Sequence, residues 1–66
     1  MPIIHVHLLA GRPAEAKAAL VTELTSAMQR TLGSDPERVH VLIHEYGDGE
    51  WSIGGHALLV EKGESA

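Results

Sequence analysis

A continuous stretch of helix-forming residues between two short aliphatic segments is the feature that most constrains the fold of this chain. Residues 13–32 begin with a proline suited to a first helical turn and end before Gly33. Residues 2–9 and 39–45 are rich in β-branched and aliphatic side chains, which is typical of strands. Strand, helix and strand in this order predict a βαβ unit with parallel strands. The apolar helix positions near helical spacing are Leu20, Leu24, Ala27, Met28 and Leu32.

The remaining sequence predicts a short hairpin. Residues 46–50 and 52–55 contain glycine-rich turns, and residues 56–60 predict a short closing strand before a polar tail. Since a chain of this length cannot divide into two cores, residues 1–66 are expected to form one domain. The predicted fold class is α+β, a βαβ subunit with parallel strands, one long helix and a short C-terminal hairpin.

Alternation along the two strands predicts a sheet with two different faces. The apolar face, expected to lie beneath the helix, consists of Ile4, Val6, Leu8, Val39, Val41 and Ile43. The opposite face mixes aliphatic and imidazole side chains, namely Ile3, His5, His7, Leu9, His40, Leu42 and His44. A monomer would leave these aliphatic side chains in water, whereas a subunit interface would bury them.

The composition makes a stable monomer difficult. The chain has no cysteine and no phenylalanine, one tyrosine and one tryptophan, so it lacks disulfides, thiolate metal sites and bulky core residues. Ordering a chain of this size costs on the order of 100 kcal/mol, and a lone core leaves at most a few kcal/mol of net stability. We therefore expect a homo-oligomer.

Charge and hydropathy disfavour several classes of partner. The formal net charge is -4, which disfavours nucleic acid and anionic membrane surfaces. No segment approaches the roughly 20 apolar residues of a membrane span, and no secretory leader is evident. A cytoplasmic protein is expected.

Pro2 is the first candidate for chemistry. If Met1 is removed, Pro2 presents a secondary amine at the start of a strand, where burial and a nearby arginine would lower its pKa toward working pH. Such an amine is a base when neutral and an acid when protonated. The alternative interpretation is that Pro2 merely begins a strand, a position where it need not donate a hydrogen bond.

Arg12 is the second candidate, because it lies between the end of the first strand and the start of the helix. Sheet proteins often bind ligands at such strand ends, and a guanidinium can hold a carboxylate through two parallel hydrogen bonds. The alternative is a solvated surface arginine.

Several segments together resemble a known family in one register from Pro2 to about Val60. They are Pro2 after the initiator Met, LLAGR at 8–12, the uninterrupted helix, VHVLIHE at 39–45 and WSIGG at 51–55. This combination is similar to the short-chain 4-oxalocrotonate tautomerase family. The resemblance implies a tautomerase-like βαβ subunit, usually a hexamer built as a trimer of dimers, with sites at subunit boundaries and no metal or organic cofactor. It also implies keto-enol tautomerisation of unsaturated dicarboxylates by an N-terminal proline.

The resemblance also implies a role for each matching residue. Pro2 corresponds to the catalytic base, Arg12 to a carboxylate-binding arginine contributed by a neighbouring subunit, and Trp51 to the aromatic wall of the pocket. His40 stands where fully active members carry an arginine, and a neutral imidazole is a poorer electrophile, so weak activity on dicarboxylates is expected. Ile53 stands where the dehalogenase branch has a water-activating carboxylate, which disfavours hydrolytic dehalogenation.

Other titratable groups favour structural interpretations. His5 and His7 share a strand face with His40 and His44, so a zinc site is conceivable, but His40 and His44 lie roughly 13 Å apart along a strand. Hydrogen-bonded interface histidines, and no metal, are expected. The acidic pair in the 46–50 turn, Asp48 and Glu50, is expected to be solvated.

Three functions stay open on the sequence alone. The first is a cofactor-free isomerase acting on keto and enol forms of small unsaturated 2-oxo or 2-hydroxy acids, with Pro2, Arg12, His40 and Trp51 at the site. The second is hydration or another amine-assisted conversion at the same site. The third is a non-catalytic oligomer that binds small acids, in which the absence of an arginine at His40 has removed meaningful turnover.

Overall fold

The computed structural model describes residues 2–60, and its elements follow the predicted order. They are strand β1, Ile3–Leu9; helix α1, Ala14–Leu32; strand β2, His40–Tyr46; strand β3, Ser52–Ile53; and strand β4, His56–Ala57. Strands β1 and β2 are parallel, and β3 and β4 form an antiparallel hairpin. The α+β fold class is therefore confirmed. Met1 and the predicted polar tail at 61–66 lie outside the described residues.

Helix α1 begins after a proline and ends at a left-handed glycine. Pro13 is the N-cap and has an extended backbone, so the helix begins at Ala14, one residue later than predicted. Gly33 has a φ of 68°, and its N–H donates to the carbonyl of Gln29 at 3.1 Å. Because a side chain is strained at this φ, glycine is favoured there and the predicted end of the helix is confirmed.

Strand β2 is displaced by one residue from its predicted range. Pro36–Arg38 forms a short 3-10 helix that has Val39 as its C-cap, so Val39 is not a strand residue. At the other end, Tyr46 was predicted to lie in a turn but pairs with Leu9, and its carbonyl accepts a hydrogen bond from Ala10 at 2.7 Å. Backbone hydrogen bonds, which side-chain alternation does not reveal, decide both ends of the strand.

The register of β1 and β2 supports the two predicted sheet faces. Val6 lies beside Ile43. Two residues further along β2, both carboxylate oxygens of Glu45 accept hydrogen bonds from the Lys17 ammonium of α1, each at 3.1 Å. This face therefore lies on the helix side. The opposite face, called the outer face below, carries Ile3, His5, His7, Leu9, His40, Leu42, His44 and Tyr46.

The C-terminal hairpin is tighter than predicted. Only Gly54 and Gly55 form its turn, with φ angles of 60° and 83°, so Ser52–Ile53 is strand rather than turn. Two successive positive φ angles are those of a two-residue hairpin turn, which favours glycine at both positions. The closing strand is His56–Ala57, shorter than the predicted 56–60.

The loop before the hairpin uses its two acids as hydrogen-bond acceptors. Asp48 Oδ1 accepts from the Val60 N–H at 2.6 Å, and Glu50 Oε1 accepts from the Gly47 N–H at 2.6 Å. The expectation that these acids are simply solvated was incomplete, since Glu50 satisfies a backbone donor of the loop and Asp48 a backbone donor beyond the hairpin.

The isolated chain leaves much apolar surface in water. No side chain among residues 2–60 is fully buried. Leu32, one of the apolar helix positions near helical spacing, is 68% exposed because it lies in the last turn of α1, and Ile3 of the outer face is 51% exposed. Within the described part of the chain, α1 is not apolar enough to cross a bilayer.

Candidate active site

Pro2 and His40 lie together at the amino ends of the two parallel strands. Pro2 is half-buried directly before β1, and its carbonyl accepts a hydrogen bond from the backbone N–H of His40 at 3.0 Å. His40 is exposed on the outer face and pairs with Ile3. The structure therefore brings the candidate base beside the histidine that stands at the expected arginine position.

Arg12 and Trp51 both lie near the Leu9–Tyr46 pair, at the carboxyl ends of the same strands. The Arg12 Nη1 donates to the carbonyl of Leu9 at 3.1 Å, and the side chain is half-buried. The Trp51 indole makes an edge-to-face contact with the ring of Tyr46, with centroids 5.5 Å apart at 84°. The candidate carboxylate-binding arginine and the candidate aromatic wall thus lie at one end of the sheet.

The four candidate residues divide into two half-sites within one chain. Strand β1 has seven residues. At about 3.3 Å per residue, its first and last residues are separated by about 20 Å. Pro2 and Arg12 therefore cannot hold the same small acid if both belong to one subunit, whereas two subunits could bring together opposite ends of their sheets.

The Arg12 guanidinium retains free donors for a carboxylate. Among residues 2–60, its hydrogen bond to Leu9 uses one nitrogen, and no acidic side chain in this part of the chain lies within ion-pairing distance. The ion pair that the described residues do contain joins Lys17 and Glu45 on the helix side. Because a guanidinium has five N–H donors, Arg12 can bind a bidentate anion without losing its contact with the strand.

Three histidines of the outer face form a stacked column, His5, His44 and His7, which we call the imidazole column. His44 stacks between the other two, with ring centroids 5.1 Å from His5 and 4.6 Å from His7. The His5 Nδ1 and His44 Nε2 atoms are 2.8 Å apart. His7 Nδ1 lies 2.8 Å from the Tyr46 hydroxyl, and the two rings are stacked at 5.9 Å.

Alternation predicted that these histidines share one face, but Tyr46 was not predicted to join them. The signal was available, because positions 40, 42, 44 and 46 continue the period of two along β2. Tyr46 was predicted instead to lie in the following glycine-rich turn. Among residues 2–60, no group of three or more histidine, cysteine, aspartate or glutamate side chains has an arrangement that could hold a metal ion.

Comparison with known proteins identifies the family. A family model described as "Tautomerase enzyme" matches residues 2–60. The chain belongs to the tautomerase family. It is 46% identical over 55 residues to a probable tautomerase of Staphylococcus epidermidis, covering 83% of this chain and 90% of the relative.

Solved structures place this tautomerase beside 4-oxalocrotonate tautomerases. A structure from work on the isozymes of Methylibium petroleiphilum is 41% identical, with a TM-score of 0.81, covering 85% of this chain and 88% of that one. A heterohexameric 4-oxalocrotonate tautomerase of Chloroflexus aurantiacus is 28% identical, with a TM-score of 0.80 and coverage of 86% and 92%. The resemblance recognised in the sequence is confirmed, and family membership supports an isomerase activity.

Proposed function

We propose that this tautomerase interconverts keto and enol forms of small unsaturated 2-oxo or 2-hydroxy acids, without a cofactor, using the amine of Pro2. The observation that carries the proposal is the position of Pro2, half-buried at the start of β1 in a chain that matches the family from that residue onward. Removal of Met1 would make its nitrogen a secondary amine. Half-burial, and an arginine brought close by a second subunit, favour the neutral, proton-accepting form.

The proposed reaction moves one proton and leaves the composition of the acid unchanged. Neutral Pro2 takes the proton from the enol oxygen, the C–O bond becomes a carbonyl, and the conjugated double bond shifts toward it. The resulting ammonium then returns the proton to the carbon at the far end of that system. Because the electron pairs stay within the substrate, neither an oxidant nor a reductant takes part.

Substrate binding is assigned to the other half-site. Arg12 holds the carboxylate with its free guanidinium donors, and Trp51 forms the apolar side of the pocket. His40 lies next to Pro2 and donates a single hydrogen bond to the substrate, where an arginine would supply a permanent charge. This arrangement favours monocarboxylates over dicarboxylates.

A complete site requires assembly, and we propose a homo-oligomer, a hexamer arranged as a trimer of dimers. The separation of about 20 Å between the two ends of β1 supports the proposal, because one chain cannot close the site. The exposed aliphatic side chains of the outer face, Ile3 and Leu42, would gain burial in an interface between subunits. The relative from Chloroflexus aurantiacus is a heterohexamer.

The histidine at position 40 also supports a second candidate, a small-acid binding oligomer without meaningful turnover. Binding by Arg12 does not require an electrophile near Pro2, whereas polarising a substrate carbonyl does. The two candidates differ in one measurable property. An enzyme converts phenylenolpyruvate to its keto form faster than buffer does, while a binding protein only retains it.

Replacing His40 by arginine is expected to raise kcat/KM for an enol dicarboxylate more than for the monocarboxylate phenylenolpyruvate. A charged hydrogen bond contributes about 1.5 to 3 kcal/mol, which corresponds to about tenfold to a hundredfold in rate if it acts fully in the transition state. The measurement is the ultraviolet absorbance of the enol during ketonisation, with both substrates and both proteins.

His56→Arg is the matched control for this experiment, because it adds the same charge at another exposed histidine, on strand β4. This control should leave the ratio of the two kcat/KM values unchanged. Equal gains on both substrates, or none, in His40→Arg would show that His40 does not face the second carboxylate. Absence of turnover by every variant, together with retention of the acid, would favour the binding protein.

A further inference from the structure

We propose that Tyr46 is a positioning residue for Trp51, and that the imidazole column holds Tyr46 in place in a proton-dependent manner. The proposal rests on the proposed function, since it assigns Trp51 to the pocket. It links the outer face of the sheet to the shape of the site. Through this link, mild acid would change the fit of the substrate.

The indole of Trp51 is oriented by its contact with Tyr46. Trp51 follows the glycine-containing loop between β2 and β3, and its backbone carbonyl accepts a hydrogen bond from Leu58 at 2.7 Å. Within residues 2–60, the aromatic neighbour of its side chain is Tyr46, in edge-to-face geometry. Such contacts between aromatic rings depend on orientation, so Tyr46 favours one orientation of the indole.

Tyr46 is itself held by His7. Its ring stacks on His7, and its hydroxyl is hydrogen-bonded to the same imidazole, so both the face and the tip of the phenol are held by one side chain. His7 is stacked in turn on His44, and His44 is hydrogen-bonded to His5. Contacts therefore run without a break from the imidazole column through Tyr46 to Trp51.

The hydrogen bonds of the imidazole column depend on how many protons its rings carry. In the hydrogen bond between His5 and His44, one ring donates and the other accepts. This hydrogen bond persists when one of the two rings is protonated, but not when both are, because no acceptor then remains. A protonated His7 must donate to the Tyr46 oxygen, which forces the hydroxyl hydrogen to point elsewhere. Stacked rings that all carry charge also repel each other. A protonated His7 keeps its hydrogen bond to the Tyr46 oxygen, but repulsion from a protonated His44 displaces its ring, and Tyr46, which is stacked on His7 and hydrogen-bonded to it, moves with that ring.

No carboxylate of the described residues offsets this repulsion. The titratable groups on the outer face are the imidazole column, Tyr46 and His40, which lies at the amino end of β2. Glu45 projects to the opposite face, where it is paired with Lys17 of α1. Protonation of the column is thus expected to alter the environment of Trp51.

The fluorescence of Trp51 tests the proposal directly, because the chain has one tryptophan. Tyr46→Leu removes both the ring contact and the hydroxyl bond, and is expected to shift the emission and increase quenching by acrylamide. Tyr46→Phe keeps the ring and should give a smaller change. Between pH 7.5 and about 5, emission should change in the wild type and in His56→Gln, but not in His7→Gln.

Kinetics separate positioning from a merely structural role. Tyr46→Leu should raise KM for phenylenolpyruvate by about two- to tenfold, the range expected from losing one oriented aromatic contact, with a smaller change in kcat. Circular dichroism and sedimentation verify fold and assembly. Unchanged Trp51 emission and quenching in Tyr46→Leu would overturn the proposal. If that variant fails to fold, an unaltered pH response in His7→Gln would overturn it.

The two proposals fail in different ways. If no variant turns over an enol acid but Trp51 emission responds as described, the proposed function fails and the positioning of the indole stands. If turnover is observed and the emission does not respond, the enzyme stands and Tyr46 has no positioning role.

Discussion

Replacing Pro2 by alanine is expected to lower kcat/KM for phenylenolpyruvate by about 100-fold. A positioned acid-base group contributes about a hundred- to ten-thousandfold to such reactions, and alanine retains an amine, though a primary one of different basicity and orientation. Most of the proton-transfer advantage is therefore lost while some remains. The measurement is the rate of enol decay under identical conditions for both proteins.

Pro36→Ala is the matched proline control, because Pro36 is exposed at the start of the short 3-10 helix and has no assigned role in proton transfer. Intact mass must show loss of the initiator methionine in the wild type and in Pro2→Ala, since a retained Met1 would convert the amine into an amide. Correctly processed Pro2→Ala with unchanged kinetics would exclude the proline mechanism.

The order of the strands and the helix follows from local chemistry and could therefore be predicted from the sequence. Pro13 and Gly33 bound the helix, and β-branched residues mark the strands on either side of it. The ends of β2 could not be predicted from the sequence, because Val39 caps a short 3-10 helix and pairing with β1 extends the strand to Tyr46. The first depends on a local hydrogen bond from the Val39 N–H to the Pro36 carbonyl, which side-chain alternation does not reveal, and the second on pairing with a segment that is distant in the sequence.

The sequence allowed the residues of the candidate site to be predicted, but not the contacts between them. Position alone identified Pro2 and Arg12, and resemblance supplied Trp51 and the departure at His40. The contacts within the imidazole column required the register of β1 against β2, which joins positions about 37 residues apart in the chain. Strand register between distant segments is a tertiary property that no local pattern specifies.

The separation of the two half-sites leads to a second large expected effect, the recovery of activity when two variants of strongly reduced activity are mixed. Pro2→Ala and Arg12→Ala each remove one half-site, and the two half-sites lie at opposite ends of β1. If a site combines Pro2 of one subunit with Arg12 of another, an assembly of both variants contains some sites with neither substitution. With equal amounts and random exchange, about one quarter of the sites are intact.

The experiment compares kcat/KM of co-refolded Pro2→Ala and Arg12→Ala with that of each variant refolded alone and of refolded wild type. Recovery to about a quarter of wild-type activity is expected. A mixture no more active than the mean of its two components would show that Pro2 and Arg12 do not act across subunits. Sedimentation must show that the assembly has re-formed in every sample.

Mixing wild type with the Pro2→Ala, Arg12→Ala double variant distinguishes the remaining arrangements by a different ratio. A site built across two subunits is intact in about one quarter of cases, because each residue must come independently from a wild-type chain. A site contained in one subunit is intact in about half. Since β1 separates the two residues by about 20 Å, intact sites are expected to make up about one quarter of all sites. A value near half would require Arg12 to act through its own chain, against the length of the strand.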